Sequence, residues 1–134
     1  MAGTGRILIV DNDADIADLV RSALAEEGYE VAIVGDLSST AIAEAIAVAE
    51  PDAVLLDGSG DGSTYGRSWD EAARLTRRRP RIPVVMFTAH KGDIAEATAR
   101  QTERSVLADF AAVVSKPFDL DELLAAVDQA VSRG

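Results

Sequence analysis

Five short apolar runs, each followed by a segment with helical periodicity, constrain this chain more tightly than any other feature of it. The runs occupy residues 7–10, 29–34, 52–57, 82–87 and 111–115. After the first, Ile16, Leu19, Val20, Ala23 and Leu24 recur at helical spacing as far as Gly28, a C-cap residue, which predicts a helix over about residues 13–27. Ser38 or Ser39 caps an alanine-rich helix that reaches Ala49 before Pro51 breaks it. Further helices are expected over residues 68–79 and 93–107, and Leu120, Leu123, Leu124, Val127 and Val131 make the last one amphipathic. Alternation of this kind calls for a parallel sheet, because parallel strands need crossovers and those are usually helices. The apolar runs lack strict in-out alternation, as strands covered on both faces do. An α/β fold follows, doubly wound, with five parallel strands in the order 2-1-3-4-5 and helices on both faces.

At 134 residues the chain suits one core, so a single domain over residues 5–133 with no output domain is expected. A composition of 48% hydrophobic and 27% charged residues is that of an ordinary globular protein. The apolar runs are too short to cross a bilayer, and the first six residues lack the apolar stretch of a secretory signal. Membrane insertion is therefore not expected, and a cytoplasmic location is. Without cysteine the chain has no disulfide or thiolate chemistry, and one histidine, His90, excludes a multi-histidine zinc site. A formal charge of −10 repels the phosphate backbone and argues against direct nucleic-acid binding. The run Arg77-Arg78-Arg79-Pro80-Arg81 stands against that charge. It reads as a helix terminus, where cations complement the last carbonyls and Pro80 stops the helix, ahead of a partner-binding patch.

Four of the runs stop at chemically suggestive residues. Asp11-Asn12-Asp13 follows the first, Asp57 ends the third, Thr88 follows the fourth and Lys116-Pro117 follows the fifth. In an open parallel sheet the carboxyl ends of the strands share one edge, where ligand chemistry concentrates. The order 2-1-3-4-5 sets strands one and three side by side and makes Asp11 and Asp57 neighbours. Clustered carboxylates repel one another and favour a cation, and hard oxygen ligands suit Mg2+. A carboxylate can attack phosphorus to form an acyl phosphate once the incoming charge is neutralised. Lys116 supplies a compact point charge from a backbone restricted by Pro117, and Thr88 supplies a hydroxyl donor.

Ile7-Leu8-Ile9-Val10-Asp11-Asn12-Asp13, Asp57 after an apolar strand, Thr88-Ala89 and Lys116-Pro117-Phe118 together resemble the receiver domain of two-component response regulators, over essentially the whole chain. The resemblance implies a flavodoxin-like fold. It also implies a phosphoacceptor at Asp57, loaded by a histidine kinase or phosphotransfer protein, with Lys116 and Thr88 contacting the phosphoryl group. Metal ligands would be Asp11, Asn12, Asp57 and the backbone carbonyl of Ser59, while Ser59 and His90 would tune phosphoryl loss. Such a domain is a phosphoacceptor that promotes its own phosphorylation and dephosphorylation rather than a conventional enzyme, and it switches a surface for a downstream protein. Oligomeric state, a homodimer included, is left open by the residues.

Three departures from the family pattern carry consequences. Asn12 takes the second place of the usual acidic pair and offers a carbonyl oxygen without charge, so weakened Mg2+ binding is expected. Asp13 is next, and its expected role is to cap the first helix. After Asp57, Asp61 and Tyr65 replace the family's proline and glycine within a glycine-rich stretch, residues 58–66, that is expected to be mobile. No Gly-Lys-Ser or Gly-Lys-Thr follows it, which argues against a nucleotide loop. Val113 occupies the switch position where the family often has an aromatic ring, and Phe110 is out of register for the task. The 28 residues from Thr88 to Lys116 exceed the family spacing, which suggests a lengthened fourth helix or flanking loop and a changed output surface.

Two other functions fit parts of the pattern. A pseudo-receiver, an interaction module with this fold that is never phosphorylated, is favoured by Asn12 and opposed by Asp57, Thr88 and Lys116. A haloacid dehalogenase-type phosphohydrolase would use Asp11 as nucleophile and Asp13 as acid, but no late acidic pair follows Lys116 and 134 residues leave little room for that fold and its cap. Asp11, Asp13 and Asp15 also begin an EF-hand spacing, which fails at Ile16 and Ser22.

Overall fold

The computed structural model describes residues 5–36, 38–57, 67–78, 81–88, 95, 98–115 and 119–133. Its elements are β1 (Arg6–Val10), α1 (Ala14–Glu26), β2 (Glu30–Val34), α2 (Ser39–Ala49), β3 (Ala53–Asp57), α3 (Arg67–Arg77), β4 (Val84–Thr88), α4 (Glu103–Ala108), β5 (Ala112–Ser115) and α5 (Leu120–Arg133). The five strands pair in parallel in the order β2-β1-β3-β4-β5, as the alternation of runs predicts.

Each strand sends alternate side chains to opposite faces, and the core therefore divides in two. Ile7, Ile9, Leu55, Val85 and Phe87 pack with Val20 and Leu24 of α1 and Leu123 and Val127 of α5. Leu8, Val10, Val54, Leu56, Val84 and Met86 face the other way, against Ile42 of α2, Leu75 of α3 and Ala108 of α4. All residues of β3 and β4 are buried, which is why their sequences run apolar without alternation.

The helix ends are set by local chemistry. Asp13 caps α1, its carboxylate accepting from the backbone N–H groups of Asp15 and Ile16 at 3.1 and 3.2 Å. At the other end Gly28 (φ 100°) donates to the Ala25 carbonyl and Tyr29 to the Leu24 carbonyl, while Leu24 and Tyr29 share one core cluster. Those paired bonds with their apolar contact form the Schellman closure, which needs a residue at ease with positive φ. Ser38 caps α2, whose Oγ accepts from the Ala41 N–H at 3.2 Å, and Glu50 (φ 46°) ends it before Pro51.

One expected element differs. The continuous helix anticipated over residues 93–107 is broken: residues 98 and 99 are helical, Arg100 turns to φ 55°, and a separate short helix, α4, begins at Glu103. Arg100 reaches the carboxylate of Asp109 and the carbonyl of Phe110, and Arg81 meets the same carboxylate at 2.8 Å. Thr76 of α3 donates its hydroxyl to the Ala108 carbonyl at 2.8 Å, so α4 is tied to α3 at its C-terminal end.

Candidate functional site

Among the described residues three polar or charged side chains are buried: Asp11 (1% exposed), Asp57 (2%) and Thr88 (0%). All three stand at carboxyl ends of adjacent central strands. The ladder pairs Val10 with Leu56, so one step further Asp11 comes opposite Asp57. Neighbouring strands lie about 5 Å apart, which sets the two residues side by side. Asp57 pairs in turn with Phe87, the residue before Thr88, and Thr88 pairs with Ser115 at the end of β5. One edge thus gathers an acid from β1, an acid from β3 and a hydroxyl from β4.

Backbone bonds fix the acidic corner. The N–H of Asp11 donates to the Val34 carbonyl at 3.2 Å, continuing the β1–β2 ladder, and its Oδ1 accepts from the Asp13 N–H at 2.9 Å. That second bond turns the chain from strand to helix within two residues. Asn12 at the turn is exposed, and Asp13 is engaged as the helix cap described above. The capping role expected of Asp13 is therefore the one found. As the proton donor of a haloacid dehalogenase it would have to face Asp11 instead.

Buried side by side, two carboxylates are unfavourable without a compensating cation. Their oxygens are hard donors, and Mg2+ is commonly held by one or two carboxylates with several retained waters and a phosphate oxygen. The pair Asp11 and Asp57 fits that ion. Among the described residues no third acid or histidine joins them to complete a cage. Lys116, Ser59 and His90, along with the glycine-rich stretch, Asp61, Tyr65 and Phe118, lie outside the described residues. Val113, the expected switch position, pairs with Met86 and packs half-buried against the α2–α3 layer, while Phe110 is buried just ahead of β5.

The fold is shared with known proteins. The response regulator receiver domain family matches residues 7–128. The chain belongs to that family. As a receiver domain of a two-component response regulator it is 31% identical over 122 residues to the DNA-binding response regulator MtrA of Mycobacterium tuberculosis (strain ATCC 25618 / H37Rv), covering 91% of this chain and 48% of MtrA. It is 34% identical over 125 residues to the nitrogen assimilation regulatory protein NtrX of Azorhizobium caulinodans, covering 93% of this chain and 26% of NtrX. The receiver thus spans about half the length of the MtrA proteins, whose DNA binding is a property named for them. A crystal structure of a putative response regulator from Chloroflexus aurantiacus J-10-fl superposes with a TM-score of 0.75 at 27% identity, covering 96% of this chain and 98% of that one.

No described residue joins the site beyond those the sequence pointed to. The pairing of Arg81 and Arg100 on Asp109 is among the features that sequence did not signal, since neither spacing nor periodicity points to it.

Proposed function

We propose that this receiver domain accepts a phosphoryl group on Asp57 from a phosphohistidine of a histidine kinase or phosphotransfer protein. A carboxylate oxygen of Asp57 attacks phosphorus, the P–N bond breaks, and the imidazole leaves with the bonding pair. The observation that carries this reading is the burial of Asp11, Asp57 and Thr88 alone among described polar side chains, together at one sheet edge. Natural cores rarely keep two adjacent carboxylates for stability, because removing them from water is costly. A bound Mg2+ would supply charge neutralisation for the phosphoryl oxygens, held by Asp11 and Asp57 with Asn12 and the Ser59 carbonyl as weaker candidates.

In this reading the Thr88 hydroxyl donates to a phosphoryl oxygen and Lys116, next in sequence after the last residue of β5, offsets the new charge. Ser59 and His90 influence how fast water removes the group, and Val113 replaces the usual ring in relaying the change to a downstream protein. Residues 5–133 act as one unit, in the cytoplasm, where phosphohistidine donors of this type are found. The domain promotes the chemistry of its own aspartate and turns over no separate substrate.

Incubation with Mg2+ and acetyl phosphate, followed by intact-mass measurement, is expected to show one added phosphoryl group that is lost in Asp57→Asn and retained in Asp13→Asn. Exposed Asn12 favours the pseudo-receiver as the second reading. No phosphoryl mass at any Mg2+ concentration, nor with a cognate kinase, would decide for it.

A further inference from the structure

The phosphoryl site lies at the carboxyl ends of the central strands and makes no use of the sheet's outer edge at β2, which pairs only with β1. Within β2 the N–H of Glu30 donates to the Gly5 carbonyl at 3.0 Å and the carbonyl of Val34 accepts from the Asp11 N–H at 3.2 Å. Backbone polar groups alternate sides along a strand, so those of Val31 and Ile33 point away from the sheet, where no described residue meets them. Native proteins blunt such an edge with lysine, proline or a bulge. The Glu30–Val34 strand has none of these, its register with β1 is unbroken, and Ile33 is 38% exposed. The opposite edge strand, β5, is shorter and is followed by Lys116-Pro117.

Beside the edge runs a groove of about 320 Å3 bordered by Val31, Ala32, Val48 and Ala49. Val48, from α2, is 86% exposed. Between Glu30 and Glu50 the only charged residues are Asp36 and Glu44, in a chain of net charge −10. Arg6 lies 3.1 Å from Glu30 and 3.7 Å from Glu50, which offsets the acids at the amino end of the groove. This is the side on which two acidic molecules repel least.

We propose that a second copy of this chain docks here, β2 against β2 in antiparallel register about a two-fold axis at Ala32. Val31 and Ile33 of the second copy then exchange N–H···O bonds, and so does the symmetric pair. Ala32 meets its own copy at a non-hydrogen-bonded position with Cα atoms about 4.5 Å apart, an approach its small side chain permits. Glu30 faces Val34, so no acid of the strand faces another. The axis keeps both α2 helices on one face of the joined sheet, because α2 packs over β1 and β2 there. An added peptide strand would leave Val48 in water, whereas α2 of a second copy covers it. The contact is isologous and closes at a dimer. Glu44, midway along α2, is the acid that comes nearest its own copy, so salt strengthens the association by screening it.

Sedimentation velocity on the whole chain, across about a hundredfold range of concentration, is expected to show a reversible dimer whose dissociation constant rises about tenfold in Val48→Glu and in Ile33→Lys. Asp57→Asn should leave it unchanged. The chain has no cysteine, so Ala32→Cys is a clean probe: the expected Cα separation falls within the about 4.4–6.8 Å that a disulfide spans, and mild oxidation should give a covalent dimer. Val106→Cys, exposed on α4, should stay monomeric under the same treatment. Circular dichroism checks the fold of each variant, and the exposed Val48 carries the test if Ile33→Lys unfolds. A monomer at every concentration, with no Ala32→Cys dimer, overturns the proposal. A dimer insensitive to Val48→Glu and cross-linked through Val106→Cys overturns it in favour of another face.

Discussion

Asn12 differs from an aspartate by one heavy atom and one charge, and it stands beside the buried Asp11 at the turn into α1. Its neighbour Asp13 does not make up the deficit, because Asp13 holds two N–H groups of the first turn of α1. Cation affinity at oxygen sites is set largely by the number of charged ligands. Asn12→Asp is therefore expected to tighten Mg2+ binding about tenfold, or about 1.4 kcal/mol. Titration calorimetry on both proteins measures it, and equal affinity would remove Asn12 from the proposed metal site. The same reasoning separates the two acids of this corner: Asp11 is buried one strand from Asp57, whereas Asp13 is exposed and caps α1.

Among the elements α4 is held in the most distinctive way. Six residues are too few for a helix to be stable by itself, so its position comes from attachments. Ala108 is buried on the α3 side and its carbonyl accepts from Thr76. Asp109, at φ 45°, then presents its carboxylate to Arg81 and Arg100. These side chains are 30–46% exposed, and such ion pairs contribute about 0.2–1 kcal/mol each. Asp109→Asn keeps a residue tolerant of positive φ while removing the charge. Global stability should fall by about 1 kcal/mol, and amide hydrogen exchange across residues 103–108 should rise severalfold while the sheet is unaffected. Unaltered exchange in α4 would show that Thr76 and Ala108 hold the helix unaided.

At the scale of the whole molecule, one sheet separates two apolar layers and every central strand serves both. Phe87, fully buried next to Thr88, joins β4 to the α1–α5 layer. Phe87→Ala should cost about 3–5 kcal/mol in urea unfolding, a large part of the 5–15 kcal/mol typical of a domain. A loss below about 1 kcal/mol would contradict the packing described. The alternation of apolar runs with helical periodicities determined the strand order, because parallel crossovers leave few topologies open, and that order put Asp11, Asp57 and Thr88 on one edge. The caps at Asp13, Gly28 and Ser38 were also legible, since each is a bond between residues a few positions apart. The break at Arg100 was not, nor the hydrogen bond from the Tyr29 hydroxyl to Asp128, nor the groove between Arg81 and Asp52. Arg81 and Asp109 lie 28 positions apart, and Tyr29 and Asp128 lie 99 apart. Local periodicity records which face of a segment is apolar; which charged side chains meet across such distances is settled only when the packed layers bring their backbones together.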